Sequence, residues 1–405
     1  MKVQLRSASV RLFVLSLFAS FAAGTALSAP TPPAGLYENS TGAPIVALLD
    51  SAQHSIDIEI YTMGDPVVRK AILNALADRV KVRIIQEPTP VGSSCKIFGI
   101  GSAPNPSAAP DEPGSPDDLA CAELKAFRNQ VLKAGGTYVP FNKILCGAGS
   151  GGATPGCVEH GKMIIVDGKA ALLSTGNFDS TNLCNAKENP ERCNRDYDYI
   201  IHYAPAIQIL GQIFEQDLRG KPYNLKALLG RAGARDLTVS PFSLPPLVQF
   251  IRSAKRSIRL QEQYLKEPTI NAELLAAAKR GVQLYLNVAS ACAFGTPRES
   301  DAAKWTQTYK TFEEAGAKIR AFTSEMRVGN RPGYLHAKAI VVDDQTAWVG
   351  STNGSSLSVS SNREFGVFFD GARDMNLLLR FMKADFANPH GESWQESLQC
   401  KRDRV

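Results

Sequence analysis

The chain has 405 residues, with 45 Lys and Arg against 39 Asp and Glu, for a formal charge of +6. Residues 1–29 hold Lys2, Arg6 and Arg11 and no acid, so +3 remains beyond them. That is little support for a nucleic-acid partner, except through a local basic footprint.

Residues 1–29 read as an export signal. The three basic residues precede the apolar run "LFVLSLFASFAA", and small residues, "GTALSAP", follow it, with a cleavage site near Ala26-Ala29. The run is short for a membrane span of about 20 residues. It contains no cysteine for a lipid anchor, and no later stretch is long and apolar enough to cross a bilayer. The expected location is secreted or periplasmic, with a soluble mature chain. Its length suggests two domains, placed at 30–235 and 236–405. The segment between 219 and 247, "RGKPYNLKALLGRAGARDLTVSPFSLPPL", has the composition of a connector.

Each half opens alike. "LLDSAQHSIDIEI" (48–60) resembles "FIRSAKRSIRLQE" (250–262) at a spacing of 202 residues, each reading as a helix end entering a strand. A helix ("PVVRKAILNALADR" or "NAELLAAAKR") and a second apolar strand ("VKVRIIQE" or "VQLYLNVAS") follow. A βαβ start favours parallel strands.

After this unit the first half carries a surplus. Residues 93–120 are rich in Pro, Gly and Ser, lack periodicity and lie between Cys95 and Cys121. A loop of that length is usually functional or disordered; it is expected to form a flap beside the motifs, with Ile97, Phe98 and Ile100 available to a lipid surface.

"EHGKMIIVDGKAALLSTGN" (159–177) then returns as "LHAKAIVVDDQTAWVGSTN" (335–353). His160 and His336, Lys162 and Lys338, Asp167 and Asp343, Thr175 and Ser351, and Asn177 and Asn353 all stand 176 residues apart. Residues two apart on a strand share a face, so His160 and Lys162 point together. Asp167-Gly168 is a hairpin signal. On the returning strand Thr175 and Asn177 share a face. Each hairpin thus collects an imidazole, an ammonium, a hydroxyl and an amide.

Further on, "NRDYDYIIHY" (194–203) and "NREFGVFFD" (362–370) place Asn-Arg-acid before an apolar strand. Asp196 or Glu364 on that neighbouring strand can accept a hydrogen bond from the second ring nitrogen of the histidine, fixing its tautomer.

The eight cysteines, an even number in an exported chain with no C-x-x-C pair, favour disulfides over zinc. Pairing neighbours joins 95–121, 146–157 and 184–193 and leaves 292–400, a parsimony argument that sequence alone does not settle.

The motif inventory suits displacement at phosphorus. Two Lys and two Asn can hold non-bridging oxygens, while one neutral His attacks and one protonated His serves the leaving oxygen. No acidic cluster is arranged to hold a divalent metal, and no cofactor is implied. Two copies of H-x-K-x4-D, each followed by Ser/Thr-x-Asn, resemble the phospholipase D superfamily; Ser174 replaces the family's glycine in the first copy, and Gly350 keeps it in the second. The resemblance implies two α/β domains, each a mixed sheet flanked by helices, about a pseudo-twofold axis with the motifs at their interface. It further implies a phosphohistidine intermediate, with His160 as nucleophile and His336 as general acid, and a mainly structural role for Asp167 and Asp343.

The expected activity is metal-independent phosphodiester cleavage on phospholipid head groups, by a monomer without an obligate protein partner. A nuclease of the same superfamily is the alternative. A cardiolipin-synthase-like transferase is disfavoured for want of membrane-embedded N-terminal segments, and a non-catalytic binding protein by two intact motifs. His54, His202 and His390 are read as structural or solvated. The apolar loops around Phe98, "SPFSLPPL" and "CAFGTP" are read as packing, and Tyr264 as a weak pocket candidate.

Overall fold

The computed structural model describes residues 29–38, 41–91, 95–99, 116–147, 154–185 and 191–402. The apolar N-terminal run lies outside them, as do residues 100–115 of the insertion. Among the described residues no helix is long and apolar enough to cross a membrane.

Two seven-stranded mixed sheets carry the fold. The first contains β1 (Gly35–Glu38), β2 (Ser55–Ile60), β3 (Lys81–Gln86), β4 (Thr137–Pro140), β5 (Lys162–Val166), β6 (Ala170–Ser174) and, after the short β7 (Cys193–Arg195), β8 (Tyr197–Ile201). The second contains β9 (Leu237–Ser240), β10 (Ser257–Glu262), β11 (Gln283–Ala289), β12 (Lys318–Phe322) and, after β13 (Arg327–Val328) and β14 (Arg331–Leu335), β15 (Ala339–Val342), β16 (Thr346–Gly350) and β17 (Glu364–Phe369). Their spatial orders, β1-β8-β6-β5-β2-β3-β4 and β9-β17-β16-β15-β10-β11-β12, are the same order repeated. In each, the two strands of the opening unit are parallel and the motif hairpin is antiparallel.

Local chemistry explains the repeated start. Helix Pro66–Ala77 begins with Asp65, whose carboxylate accepts the N–H groups of Val67 and Val68, and helix Pro268–Lys279 begins with Glu267 accepting from Thr269. An acidic cap followed by proline is a strong helix start. In β2, Ile56, Ile58 and Ile60 are buried in the first half's own core, while Asp57 on the other face pairs with Arg83.

The motif aspartates close the hairpins. Asp167 and Gly168 have φ of 54° and 62°, and Asp343 and Asp344 of 58° and 56°, the positive values a primed turn requires. The Asp167 carboxylate accepts the N–H groups of Gln53, His54 and Ser55, and Asp343 those of Lys255, Arg256 and Ser257. Both thereby tie the hairpin turn to the entry of the neighbouring strand. Burial alone would raise the Asp167 carboxyl, but the three backbone donors outweigh it and hold it below its ordinary value. Asp167→Ala is expected to cost ~2 kcal/mol at pH 7. A depressed carboxyl stabilises above its unfolded value, so the difference in urea midpoint should shrink as pH falls through its lowered folded value. A pH-independent difference would reject the account.

Three apolar cores result. One belongs to the first half, one to the second. The third is shared, running from β5, β6 and helix Ala204–Arg219 to β16, β17 and helix Ala372–Ala387. All four disulfides join the neighbouring cysteines, 95–121, 146–157, 184–193 and 292–400. The insertion differs from expectation where it is described. Residues 116–120 already belong to helix Pro116–Lys133, Ile97 is buried, and Phe98 packs on Tyr138 beneath Arg128. Neither is offered to a lipid surface: Ile97 is buried, and Phe98 packs against the first half's core as the packing reading of its loop expects; Ile100 lies outside the described residues.

Candidate active site

Each motif histidine sits just before its strand, where the chain passes beside the other half. The N–H of Arg363 donates to the Val158 carbonyl (3.1 Å) and that of His160 to the Arg363 carbonyl (2.9 Å). In the second copy β14 runs parallel to β7, and the His336 N–H continues the ladder to the Arg195 carbonyl (3.2 Å). The acid following each Arg therefore belongs to the opposite half. His160 Nδ1 lies 2.9 Å from Glu364 Oε2, and His336 Nδ1 lies 2.9 Å from Asp196 Oδ1. Within-half strand logic pairs each histidine with the acid of its own half; the parallel ladders exchange them. Gly161 permits the close approach, since a Cβ there would stand 2.5 Å from the Phe365 ring.

The two acids are themselves held. Thr175 donates to Asp196 (2.7 Å) while accepting from the Tyr197 N–H, and Ser351 accepts from the Phe365 N–H (3.0 Å) beside Glu364. These hydroxyls thus turn from the cleft to support the carboxylates. Burial would raise Asp196 and Glu364, but the facing histidine and lysine keep both below their ordinary values.

Lys162 and Lys338 are fully buried. Each ammonium donates to the carbonyl of its own motif histidine, and Lys338 also approaches the Thr175 carbonyl. Burial depresses both, Lys162 to about 7, with Glu364 opposing the shift for Lys162 and Asp196 for Lys338. The imidazoles are lowered by burial too, His336 to about 4, against the pull of their carboxylates. A site that charges its cations so reluctantly is prepared for an anion. Asn177 and Asn353 line the same cleft of about 720 Å³ as the two histidines. Each has a buried Oδ1 without a partner among the described residues, while its Nδ2 is the group able to donate to an anion.

The profile described as "Cardiolipin synthase, PLD-like domain" matches residues 45–218 and 247–386. The chain belongs to the phospholipase D superfamily. No curated protein matches it significantly. Among solved structures, the phosphatidylserine synthase of Haemophilus influenzae Rd KW20 is similar at a TM-score of 0.57 and 14% identity, over 92% of this chain and 91% of that one. The polyphosphate kinase of Porphyromonas gingivalis is similar at a TM-score of 0.55 and 14% identity, over 86% of this chain and 46% of that one. This chain therefore spans about half of that kinase's length. At such identities both likenesses show the fold.

In this phospholipase D-type arrangement the structure brings together His160, Lys162, Asn177, Asp196, His336, Lys338, Asn353 and Glu364, and leaves Asp167 and Asp343 at the hairpin turns. His54, His202 and His390 are exposed. Motif counting missed Asn182, which donates to Asp196 (2.8 Å) and lies 3.3 Å from His336 Nδ1, and Tyr61, edge-on to His160 at 4.9 Å. Neither stands inside a repeated pattern. The arginines of the Asn-Arg-acid repeat were legible but unused. Arg195 binds Asp385 through two nitrogens, and Arg363 binds Asp217 likewise, each pair joining the two halves. Tyr264 lines the cleft. Phe294 departs from the packing expectation at 70% exposed, because it caps Tyr334 at the cleft mouth instead of filling a core.

Proposed function

We propose that the mature chain is an exported phosphodiesterase that removes or exchanges phospholipid head groups through a phosphohistidine, without metal or cofactor. One observation carries this reading: two histidines in one cleft, each with Nδ1 held by a carboxylate of the opposite half. An Nδ1–H donated to Glu364 leaves the His160 Nε2 lone pair free to attack phosphorus. As the N–P bond forms, the bond to the head-group oxygen breaks and a proton from His336 passes to that oxygen. His336 then takes a proton from water or an alcohol, whose oxygen displaces His160. Lys162, Lys338, Asn177 and Asn353 are assigned to the non-bridging oxygens. Among the described residues no group of three or more His, Cys, Asp or Glu could hold a metal ion. Exposed Val91 and Leu357 on the cleft lining support a lipid surface, and four disulfides suit an oxidising compartment.

The test incubates the purified protein, with and without EDTA, with mixed phospholipid vesicles and separately with plasmid DNA. Head-group release, exchange with added alcohol and indifference to EDTA are expected. DNA cleavage without lipid turnover selects the nuclease, and rescue of chelated protein by one divalent metal rejects the mechanism.

The pH profile follows from the lowered imidazoles. One neutral and one protonated histidine coexist most between their two values, and both values lie below the ordinary 6.5. The bell of kcat/KM should therefore peak below pH 6.5, with loss of the protonated acid on its alkaline side. An optimum above pH 7.5 would contradict it.

A further inference from the structure

The two walls of the cleft are symmetry mates that have diverged. Two residues before the motif histidine stands Val158 in the first copy and Tyr334 in the second. Facing them are Asn362 and Asn194. Asn362 is fully used: its Oδ1 accepts from the Val158 N–H (3.1 Å) and its Nδ2 donates to Glu364 (3.0 Å). Asn194 is as buried, at 6% exposed, yet its Oδ1 has no partner. It lines the cleft beside His336.

Arg192 lines the same wall. Its guanidinium stands 4.6 Å from the Phe294 ring centre and 5.2 Å from that of Tyr334. Among the described residues its side chain donates one long bond, to the Ala293 carbonyl (3.4 Å). Among the described residues no carboxylate comes within ion-pair distance of it. Flanking aromatic rings restrict the guanidinium plane without neutralising it. Farther along, Lys266 lies over Tyr264 and Trp305, adding positive charge. The His160 side offers the aliphatic Val91, Val158 and Leu357 beside the Tyr61 ring, with no cation but the motif lysines among the described lining residues on that side.

A phosphodiester has two unlike arms, and the arm that departs must lie against the acid. Taking His336 as that acid and a phospholipid as substrate, as proposed above, the departing head group meets the Arg192 wall and the diacylglycerol arm the aliphatic one. We propose that this wall is a head-group subsite for an alcohol carrying a carboxylate and a hydrogen-bond donor, as an amino-acid head group does. Arg192 binds the carboxylate as a two-pronged donor, and the Asn194 carboxamide oxygen accepts the ammonium N–H. A trimethylammonium group has no N–H for Asn194 and no anion for Arg192, so choline is selected against by an unpaired polar atom and by charge repulsion.

The test uses short-chain diacyl lipids dissolved as monomers, which removes the surface charge of a vesicle, with serine, ethanolamine or choline head groups. Serine and ethanolamine differ by the carboxylate alone. Wild type should prefer the serine lipid over ethanolamine by about ten-fold in kcat/KM, and Arg192→Gln should erase that ratio. Phe294→Ala, a change at an exposed ring, should lower the same ratio in a protein whose thermal unfolding matches wild type. A wild-type ratio near one, or a ratio that survives both substitutions, overturns the subsite while leaving the lipid reading standing. Turnover of none of the three lipids by protein that cuts plasmid DNA removes both.

Discussion

His160→Ala and His336→Ala should each lower turnover by ~10³-fold or more while leaving the circular dichroism of the native fold. Neither ring fills a hydrophobic core; each spans a carboxylate and the cleft, so its loss removes chemistry before stability. The exchanged pairing sharpens the test. His160 and Glu364 act as one unit across the interface, so the double substitution His160→Ala with Glu364→Gln should be little worse than His160→Ala alone. A trapped phosphoryl adduct should sit on His160 and be absent from His160→Ala. An adduct on His336 reverses the two roles, and full activity in either alanine variant ends the mechanism. If Glu364→Gln instead proves redundant with His336→Ala, the crosswise geometry is wrong.

Arg363→Met should be the most destabilising single change at the interface, at ~3–5 kcal/mol. The guanidinium is 2% exposed and binds both oxygens of Asp217 (2.8 and 3.1 Å) and the Ser240 carbonyl (2.8 Å). Glu59 lies 4.0 Å from it, and burial, with Asp217 and Glu159 nearby, pushes the Glu59 carboxyl well up. Removing the Arg363 cation leaves the buried Glu59, Glu159 and Asp217 without it. Adding Asp217→Leu to the variant should restore part of the loss, because apolar replacement of a whole buried pair is often tolerated. Denaturant unfolding of the single and double variants measures this. Equal loss in both, or a loss below ~1 kcal/mol in the single variant, would show that the pair does not hold the halves together.

The same two arginines show where sequence reasoning stops. The Asn-Arg-acid repeat was visible, and its acids were assigned to the histidines, but its arginines and asparagines had no partner to be assigned to. The acids that bind the two arginines, Asp385 and Asp217, lie on helices more than a hundred residues away, Asn362 reaches Val158 across the interface, and the Asn194 Oδ1 has no partner among the described residues. Asn182 was invisible for a related reason: it sits on a single turn after the motif and has no mate in the second copy.

What the sequence determined by itself was everything set by short range or by repetition. An acidic cap and proline start each crossover helix, alternation places His160 beside Lys162, and Asp167-Gly168 turns the hairpin. Repetition then marked which polar residues mattered, as five motif positions recur at one spacing. Only the tertiary structure decided who faces whom. Strand alternation specifies a face but not the sheet edge it meets, and two near-identical halves offer each histidine two equivalent acids. The parallel ladders between Val158–His160 and Asn362–Glu364, and between β14 and β7, choose the acid across the interface. The divergence of Val158 from Tyr334 likewise acquires meaning only when both become opposite walls of one cleft.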